Sequence, residues 1–410
     1  MVTVALAGAG SRGRTCYAQF IQKHPDKVKL VAVADIIDAR VNEAAATFDI
    51  PAENCFKSAN DMLQQDKLAD IMFICTPDEN HHETAIKALK KGYHLLLEKP
   101  AATTDAHCIE IARVAKECNR HVVVCHVLRY SPFYGIIKDV ISSGKIGEVV
   151  TINAFEGVGY WHQAHSYVRG NWRDASTSTP MILAKCCHDI DILVWLMDTT
   201  VRSVSSYGNL FYFNEKNAPE GATSHCLGGC KVKENCPYDA EKIYLTGNTS
   251  WPVDVVAKPT TKENVRNALI DGPYGRCVFK CDNNVVDHQV VNMQFEGGKT
   301  AHLTMSGFTS DIYRTIQVMG TLGMIEGDMR TNIVTTTVFG QPAQQEDMSR
   351  LISGLSGHGG GDERMFNILI ELAGGSEKTL LTSIDNSIES HLICFAAERS
   401  RLNGGIPEVL

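Results

Sequence analysis

The sequence predicts an α/β fold in two parts. A doubly wound parallel sheet comes first, followed by an α+β region on a largely antiparallel, open-faced sheet. Three observations predict it. From Met1 to about Val127, short apolar runs alternate with amphipathic segments, the pattern of parallel strands joined by crossover helices. Beyond that point the strand candidates lengthen and alternate apolar with polar residues, as in a sheet that buries one face. The chain has 410 residues, too many for one typical core, so two domains are expected. They span 1–127 and 128–402, and a cysteine-rich insertion near 215–286 interrupts the second.

The first strand candidate, 2–7, runs directly into Gly8-Ala9-Gly10-Ser11-Arg12-Gly13 and then into a helix-like segment, 14–24. Each glycine has a physical role. The first permits a sharp turn, the second lets backbone approach a pyrophosphate, and the third lets helix and strand pack closely. Free N–H groups at the helix start then receive the phosphates. The second strand, 29–34, ends in Asp35, about 20 residues on, where a carboxylate holds an adenosine ribose diol. This order is a Rossmann dinucleotide signature. An acid at Asp35 repels a 2′-phosphate, so NAD is favoured over NADP, although Arg40 keeps NADP from being excluded. Further strands are expected at 70–75, 93–97 and 121–125, with helices at 38–48, 59–65, 81–91 and 105–118. Ligands bind beyond the carboxyl ends of such strands, which puts Thr76, Pro77, Glu98, Lys99, Pro100 and His126 on the ligand side.

Composition narrows the function classes. A net charge of −8 with no basic cluster argues against nucleic acid. No apolar run approaches the ~18 residues of a membrane span. The N-terminus lacks a basic secretory n-region, so a cytoplasmic protein is expected. In a reducing compartment its 14 cysteines are core thiols or metal ligands.

The most specific constellation is Thr76-Pro77-Asp78-Glu79-Asn80-His81, then Ala88-Leu89-Lys90-Lys91-Gly92, then Glu98-Lys99-Pro100. Here the chain resembles the Gfo/Idh/MocA oxidoreductases, nicotinamide-dependent sugar and cyclitol dehydrogenases. The resemblance implies a cofactor site that includes Thr76, Pro77, His81, Glu98 and Lys99. It also implies a peptide before Pro100 that is often cis, and a Lys99 that reaches both nicotinamide ribose and substrate. A lysine beside a desolvated cofactor suits proton transfer. Downstream, His188 and Asp191 match the H-x-x-D part of the family's D-x-G-x-H-x-x-D pattern, which implies that His188 is the acid/base. The first acid of that pattern falls on Ala184 and the glycine on Cys186. Asp189 is therefore the candidate replacement partner, and a core histidine at a helix start is the bland alternative.

The remaining candidates surround these. Arg129 and Tyr130 either bind sugar hydroxyls or cap the domain junction. The stretch 159–173 holds Tyr160, Trp161, His162, His165, Trp172 and Arg173, a density that suits sugar stacking and hydroxyl binding, or else a packed junction. Cys226, Cys230 and Cys236, with Cys277 or Cys281, suggest a tetrathiolate zinc clip for an insertion unable to build a core alone; buried free thiols are the alternative. Ser356-Gly357-His358-Gly359-Gly360-Gly361-Asp362 resembles a G-H-G-G stretch of glycoside-acting family members. That implies His358 in the pocket, with a hinge loop as alternative and Asp362 as a helix cap. Later strands are expected at 148–156, 201–214, 287–296, 300–308, 313–319 and 332–339, and helices at 187–197, 362–374 and 383–402.

The expected function is NAD-dependent hydride transfer at a sugar, glycoside or polyol hydroxyl carbon, with Lys99 and His188 handling the proton. A redox-neutral NAD-dependent glycosidase is the runner-up, and a non-catalytic NAD sensor the alternative of another class. The open sheet face and the resemblance imply a homodimer or homotetramer.

Overall fold

The computed structural model describes residues 1–352, 358–375 and 380–410. Six parallel strands form the first sheet: β1 (Val2–Ala7), β2 (Val28–Ala34), β3 (Cys55–Phe56), β4 (Ile71–Ile74), β5 (His94–Leu97) and β6 (Val122–Val124). Their order is β3-β2-β1-β4-β5-β6, so the direction of travel reverses beside β1 and leaves a crevice at the carboxyl ends of β1 and β4. Both faces are buried. Val4, Leu6, Phe73 and Leu96 lie in one apolar cluster, while Ala5, Ala7, Met72 and Leu97 lie in the other. Burial on both sides is why these strands read as unbroken apolar runs. β3 has only two residues and carries no periodic signal. After the glycine loop the chain forms a π-helical segment, Ser11–Ala18, before the α-helix Gln19–Lys23.

The second sheet has nine strands: β7 (Val149–Gly157), β8 (Val201–Asn209), β9 (His288–Phe295), β10 (Thr300–Ser306), β11 (Tyr313–Gly320), β12 (Gly323–Asp328), β13 (Ile333–Val338), β14 (Gln344–Asp347) and β15 (Glu408–Val409). Their order is β14-β13-β12-β11-β7-β10-β9-β8-β15. The β7/β10 pair is parallel and the other pairs are antiparallel. Ile152, Leu303, Met305 and Val318 bury one face with Ile190 and Leu193 of the helix Cys187–Met197. Asn153, Asn292 and Gln317 leave the other face open. β12 escapes the sequence pattern because it contains Gly323 and Gly327. A side chain at Gly327 would press on Phe133 and Ile316, so the glycine lets the helix Pro132–Ser142 approach the sheet. The expected strand 201–214 stops at Asn209, and Asp287 Oδ2 accepts from the Tyr212 N–H at 2.7 Å in the turn that follows.

The insertion contains short helices, Ala240–Tyr244, Val253–Val256 and Lys262–Asp271, and it does have a core of its own. Phe213, Tyr238, Tyr244, Leu269 and Phe279 pack with Ala164 and Val168. Arg169, 1% exposed, pins this cluster by donating from Nε to the Arg276 carbonyl and from Nη2 to the Tyr238 carbonyl, both at 2.7 Å. Arg169→Met would leave the buried Tyr238 carbonyl and the partly buried Arg276 carbonyl without this donor. The substitution is expected to lower unfolding free energy by about 3 kcal/mol in a urea titration. A loss below about 1 kcal/mol would mean that the aromatic packing holds the insertion unaided. Among the described residues no helix is long and apolar enough to cross a membrane.

Candidate functional site

The glycine loop is built as a cradle. Gly8 has φ +91°, and a Cβ there would collide with the Cys75 carbonyl. A Cβ at Gly13 would strike the Gly8 carbonyl. A Cβ at Gly10 would meet nothing nearer than Arg40 Nη1 at 3.8 Å. The outer glycines thus close the turn, and the middle one leaves space for a ligand. Asp35 sits at the end of β2, where Oδ2 accepts from the Ala9 N–H at 2.8 Å and Oδ1 from the Ile37 N–H at 2.9 Å. Arg40 Nη1 lies 3.6 Å from Asp35 Oδ2. At the end of β4, Thr76 Oγ1 is buried without a partner. The His81 ring bridges the Thr76 and Pro100 carbonyls at 2.9 and 2.8 Å, tying the Thr76-Pro77 turn to the cis Lys99–Pro100 peptide. The open space at Gly10 and the orphan hydroxyl of Thr76 fit a dinucleotide laid across these strand ends.

Two of the expected cofactor residues face protein instead. Arg12 donates from Nε to Glu98 Oε1 and from Nη2 to Asp362 Oδ1 and the Tyr17 hydroxyl, each at 2.6 Å. Tyr17 donates in turn to Glu98 at 2.8 Å. Burial alone would raise the Glu98 carboxyl, but Arg12 and Lys99 hold it below its ordinary value. Arg12 and Glu98 are therefore internal braces of the loop. Asp362 does not cap its helix, Gly361–Ala373. It turns inward, and its Oδ2 pairs with His358 Nδ1 at 2.8 Å.

The candidate reactive residues meet where β5 ends beside the start of the helix Cys187–Met197. Lys99 Nζ donates to the Ala184 carbonyl at 2.6 Å, one turn before His188. The His188 ring is 4% exposed, 5.4 Å from the His358 ring and 5.9 Å from the His126 ring, and its Nδ1 has no hydrogen-bond partner. Burial, then the nearby charges of Lys99, His358 and His126, push His188 well below the usual imidazole value. It stays neutral and able to accept a proton.

Asp189 is not its partner. It takes Arg314 at 2.8 and 3.3 Å, and Arg314 also meets buried Glu156, which Lys185 approaches at 3.2 Å. Asp191 is engaged by Arg129 through two bonds of 2.7 Å and by His126 at 2.8 Å. Arg129 also donates to the Leu381 and Asn386 carbonyls, at 3.0 and 3.2 Å. Tyr130 is buried and meets the Thr382 hydroxyl at 3.0 Å, so both residues serve the junction. The carboxylate–imidazole pair missing at His188 is present instead at His358–Asp362. The spacing of these two residues, i and i+4 at a helix start, was the available signal.

The aromatic stretch divides in two. His162 is buried, edge-on to Trp251 at 5.0 Å, and driven well below its ordinary value by burial, Lys185 and His165. Lys99 is also among its charged neighbours, so His162 lies near Lys99, and half-buried Tyr160 and Trp161 flank it. His165 turns away to meet the Tyr244 hydroxyl at 3.0 Å and stacks on Tyr274 at 4.8 Å. Arg173 pairs with Asp282 at 2.8 and 3.1 Å, and the Trp172 ring lies 6.4 Å from Tyr167. His165 and Arg173 therefore tie the aromatic stretch to the insertion.

The zinc expectation is corrected. Cys226, Cys230, Cys236 and Cys277 border one small cavity, but among the described residues no three His, Cys, Asp or Glu groups are arranged to hold a metal ion. Cys281 donates to the Cys277 carbonyl at 3.3 Å. Burial raises the Cys226, Cys236 and Cys281 thiols, as for thiols packed in an apolar cluster. Dialysis against EDTA is expected to leave Tm unchanged within about 1 °C. A fall of several degrees that zinc restores would reinstate the metal. Ser356 and Gly357 lie outside the described residues.

These parts together make a dinucleotide-binding α/β protein. A family model described as an oxidoreductase NAD-binding Rossmann fold matches residues 2–126, and that family's C-terminal alpha/beta domain matches 138–392. The chain belongs to the Gfo/Idh/MocA oxidoreductase family. It is 25% identical over 321 residues to the YteT protein of Bacillus subtilis, covering 75% of this chain and 73% of that protein. It is 28% identical over 186 residues to the inositol 2-dehydrogenase of Salmonella typhimurium, covering 44% of this chain and 50% of that enzyme. The chain thus matches about half the length of that enzyme. Among solved structures, the WlbA dehydrogenase from Bordetella pertussis, in complex with NADH and UDP-GlcNAcA, aligns with TM-score 0.71 at 18% identity, covering 100% and 97% of the two chains. An inositol dehydrogenase homolog from Azotobacter vinelandii, complexed with NAD+, aligns with TM-score 0.71 at 15% identity over the same shares. These two likenesses show the fold.

Proposed function

We propose that this oxidoreductase uses NAD to oxidise a hydroxyl-bearing carbon of a sugar, glycoside or polyol. The region 1–127 holds the dinucleotide and 128–402 holds the substrate. One observation carries the reading: Lys99, His188 and His358 converge on the carboxyl end of β5, with Lys99 Nζ 2.6 Å from the Ala184 carbonyl and the two imidazoles 5.4 Å apart. When bound, nicotinamide supplies the hydride acceptor. The chain's own part is to orient the hydroxyl, exclude water and take its proton. Lys99 donates to the substrate oxygen and neutral His188 accepts the proton, while Asp362 fixes the orientation of His358 beside it. Tyr160, Trp161 and His162 offer faces and a nitrogen to the sugar. Similarity to inositol 2-dehydrogenases supports a polyol or sugar substrate. We read the open face of the nine-stranded sheet as the site of homodimer or homotetramer formation.

A second reading has one specific support. His358 with Asp362 gives the site a second oriented imidazole, as a redox-neutral glycoside cleavage needs for departure of the aglycone. A panel of sugars, glycosides and polyols, assayed for both NADH absorbance and aglycone release, separates the two. NADH accumulation supports net oxidation. Aglycone release with catalytic NAD and flat absorbance supports the second reading. Failure of every substrate to turn over would leave a binding protein.

A further inference from the structure

The segment from Trp251 to Lys258 belongs to the insertion, yet it spans both ends of the candidate cofactor site. At one end the Trp251 ring packs against Trp161 at 5.3 Å, His162 at 5.0 Å and His165 at 5.5 Å. This is the end near Lys99, which is a charged neighbour of His162. At the other end Lys258 has Arg14, Asp254 and Arg40 as its charged neighbours. Arg40 marks the adenosine and pyrophosphate end, since it lies 3.6 Å from Asp35 Oδ2 and 3.8 Å from the position a Gly10 Cβ would take. One helical turn, Val253–Val256, joins the two ends.

Two groups on this segment are unused. Asp254 Oδ1 is buried without a hydrogen-bond partner. Lys258 is exposed and makes no ion pair among the described residues, while Arg14 is engaged by Glu43 and Arg40 by Asp35. A buried acceptor without a partner is unfavourable unless a ligand hydroxyl or N–H completes it. Around Lys258 two guanidiniums outnumber the one carboxylate of Asp254, and the net positive charge left there suits a polyanion. A dinucleotide carries both features, a pyrophosphate and ribose hydroxyls.

We propose that the segment 251–258 completes the dinucleotide site as a strap: Lys258 faces the pyrophosphate and adenosine end with Arg14 and Arg40, Asp254 accepts from a hydroxyl there, and the bound cofactor leaves only when the strap moves aside. The inference rests on the dinucleotide reading of the glycine loop. It makes the release of NAD(H) a gated step in each turnover.

The test uses the full chain with NAD+ as probe, in the wild type and in the Lys258→Glu and Asp254→Asn variants. Lys258 is exposed and Asp254→Asn is nearly isosteric, so both variants should fold, and circular dichroism checks this. NAD+ affinity is measured by calorimetry, dissociation by stopped-flow fluorescence, and backbone protection by hydrogen exchange. Lys258→Glu is expected to weaken NAD+ about tenfold or more, mostly through faster dissociation, and Asp254→Asn about threefold or more. Saturating NAD+ should slow exchange across 251–258 in the wild type. If the wild type binds NAD+ while both variants stay within about twofold of it and exchange at 251–258 does not change, the strap is wrong and the glycine-loop reading stands. If the wild type binds neither NAD+ nor NADP+, both fail together.

Discussion

Lys99→Met should lower turnover of the best substrate about 10³-fold while NAD+ affinity changes by no more than a few fold. The size follows from the charge at stake. A cation that donates to the oxygen as it loses its proton contributes roughly 10² to 10³ in rate, and Lys99 is the cation placed where β5 opens onto the proposed substrate side. Methionine keeps the length and apolar stem but removes the ammonium, so packing around Pro100 is preserved while the bond to the Ala184 carbonyl is lost. The substitution also acts on His188. Lys99 is one of the charges that, after burial, hold that imidazole below its ordinary value, so its removal lets the His188 value rise. In the wild type the base therefore stays deprotonated below the ordinary histidine range, and activity persists as pH falls through about 6. In Lys99→Met the acidic limb of the pH–rate profile should move upward. A variant with unaltered kcat would remove Lys99 from the reaction. A variant with lowered kcat and an unmoved limb would detach Lys99 from His188.

The sequence carried the dinucleotide half of this site more fully than the substrate half, for a physical reason. Gly8, Gly13 and Asp35 act through local backbone geometry, and their spacing states it. The strands around them are buried on both faces, so their apolar runs are continuous. The roles of Arg12 and Glu98 depend on Asp362, which is some 350 residues from Arg12 in the chain, and no local pattern encodes that meeting. The same holds for Arg129, whose guanidinium looks free in a His-Val-Leu-Arg-Tyr run until Asp191 is brought to it. The four cysteines failed differently. Their spacing fits a metal clip, but a cluster of Phe, Tyr and Leu side chains packed around Arg169 already holds the insertion. The missing acid at Ala184 pointed to a departure from the family pattern. An imidazole–carboxylate pair stands instead at His358 and Asp362, where a glycine-rich loop enters its helix, and Arg12 links Asp362 to the Gly8–Gly13 loop.

Asp191→Asn is expected to destabilise the fold by about 3 to 5 kcal/mol at neutral pH, and the loss should depend on pH in a defined way. Asp191 is 1% exposed, and its two oxygens take both hydrogen bonds of the Arg129 fork, with His126 2.8 Å from Oδ1. Removing the charge leaves the Arg129 cation buried without a counter-ion, with one amide oxygen of the new asparagine and the Leu381 and Asn386 carbonyls as its remaining acceptors. Burial by itself would raise the Asp191 carboxyl, but His126 and Arg129 lower it to about 2. A folded-state value below the unfolded one means that the charged form stabilises the native protein. That contribution is fully present above the unfolded value near pH 4 and is lost as pH falls through about 2. It amounts to about 2 kcal/mol. In urea titrations the gap between wild type and Asp191→Asn should therefore narrow between pH 4 and pH 2, because the wild type loses there what the variant already lacks. Arg129→Met combined with Asp191→Leu should cost less than the sum of the single changes, since neither charge is then left alone. Strict additivity, or a gap that stays constant down to pH 2, would mean that the pair does not bind the two sheets' helices together as its geometry implies.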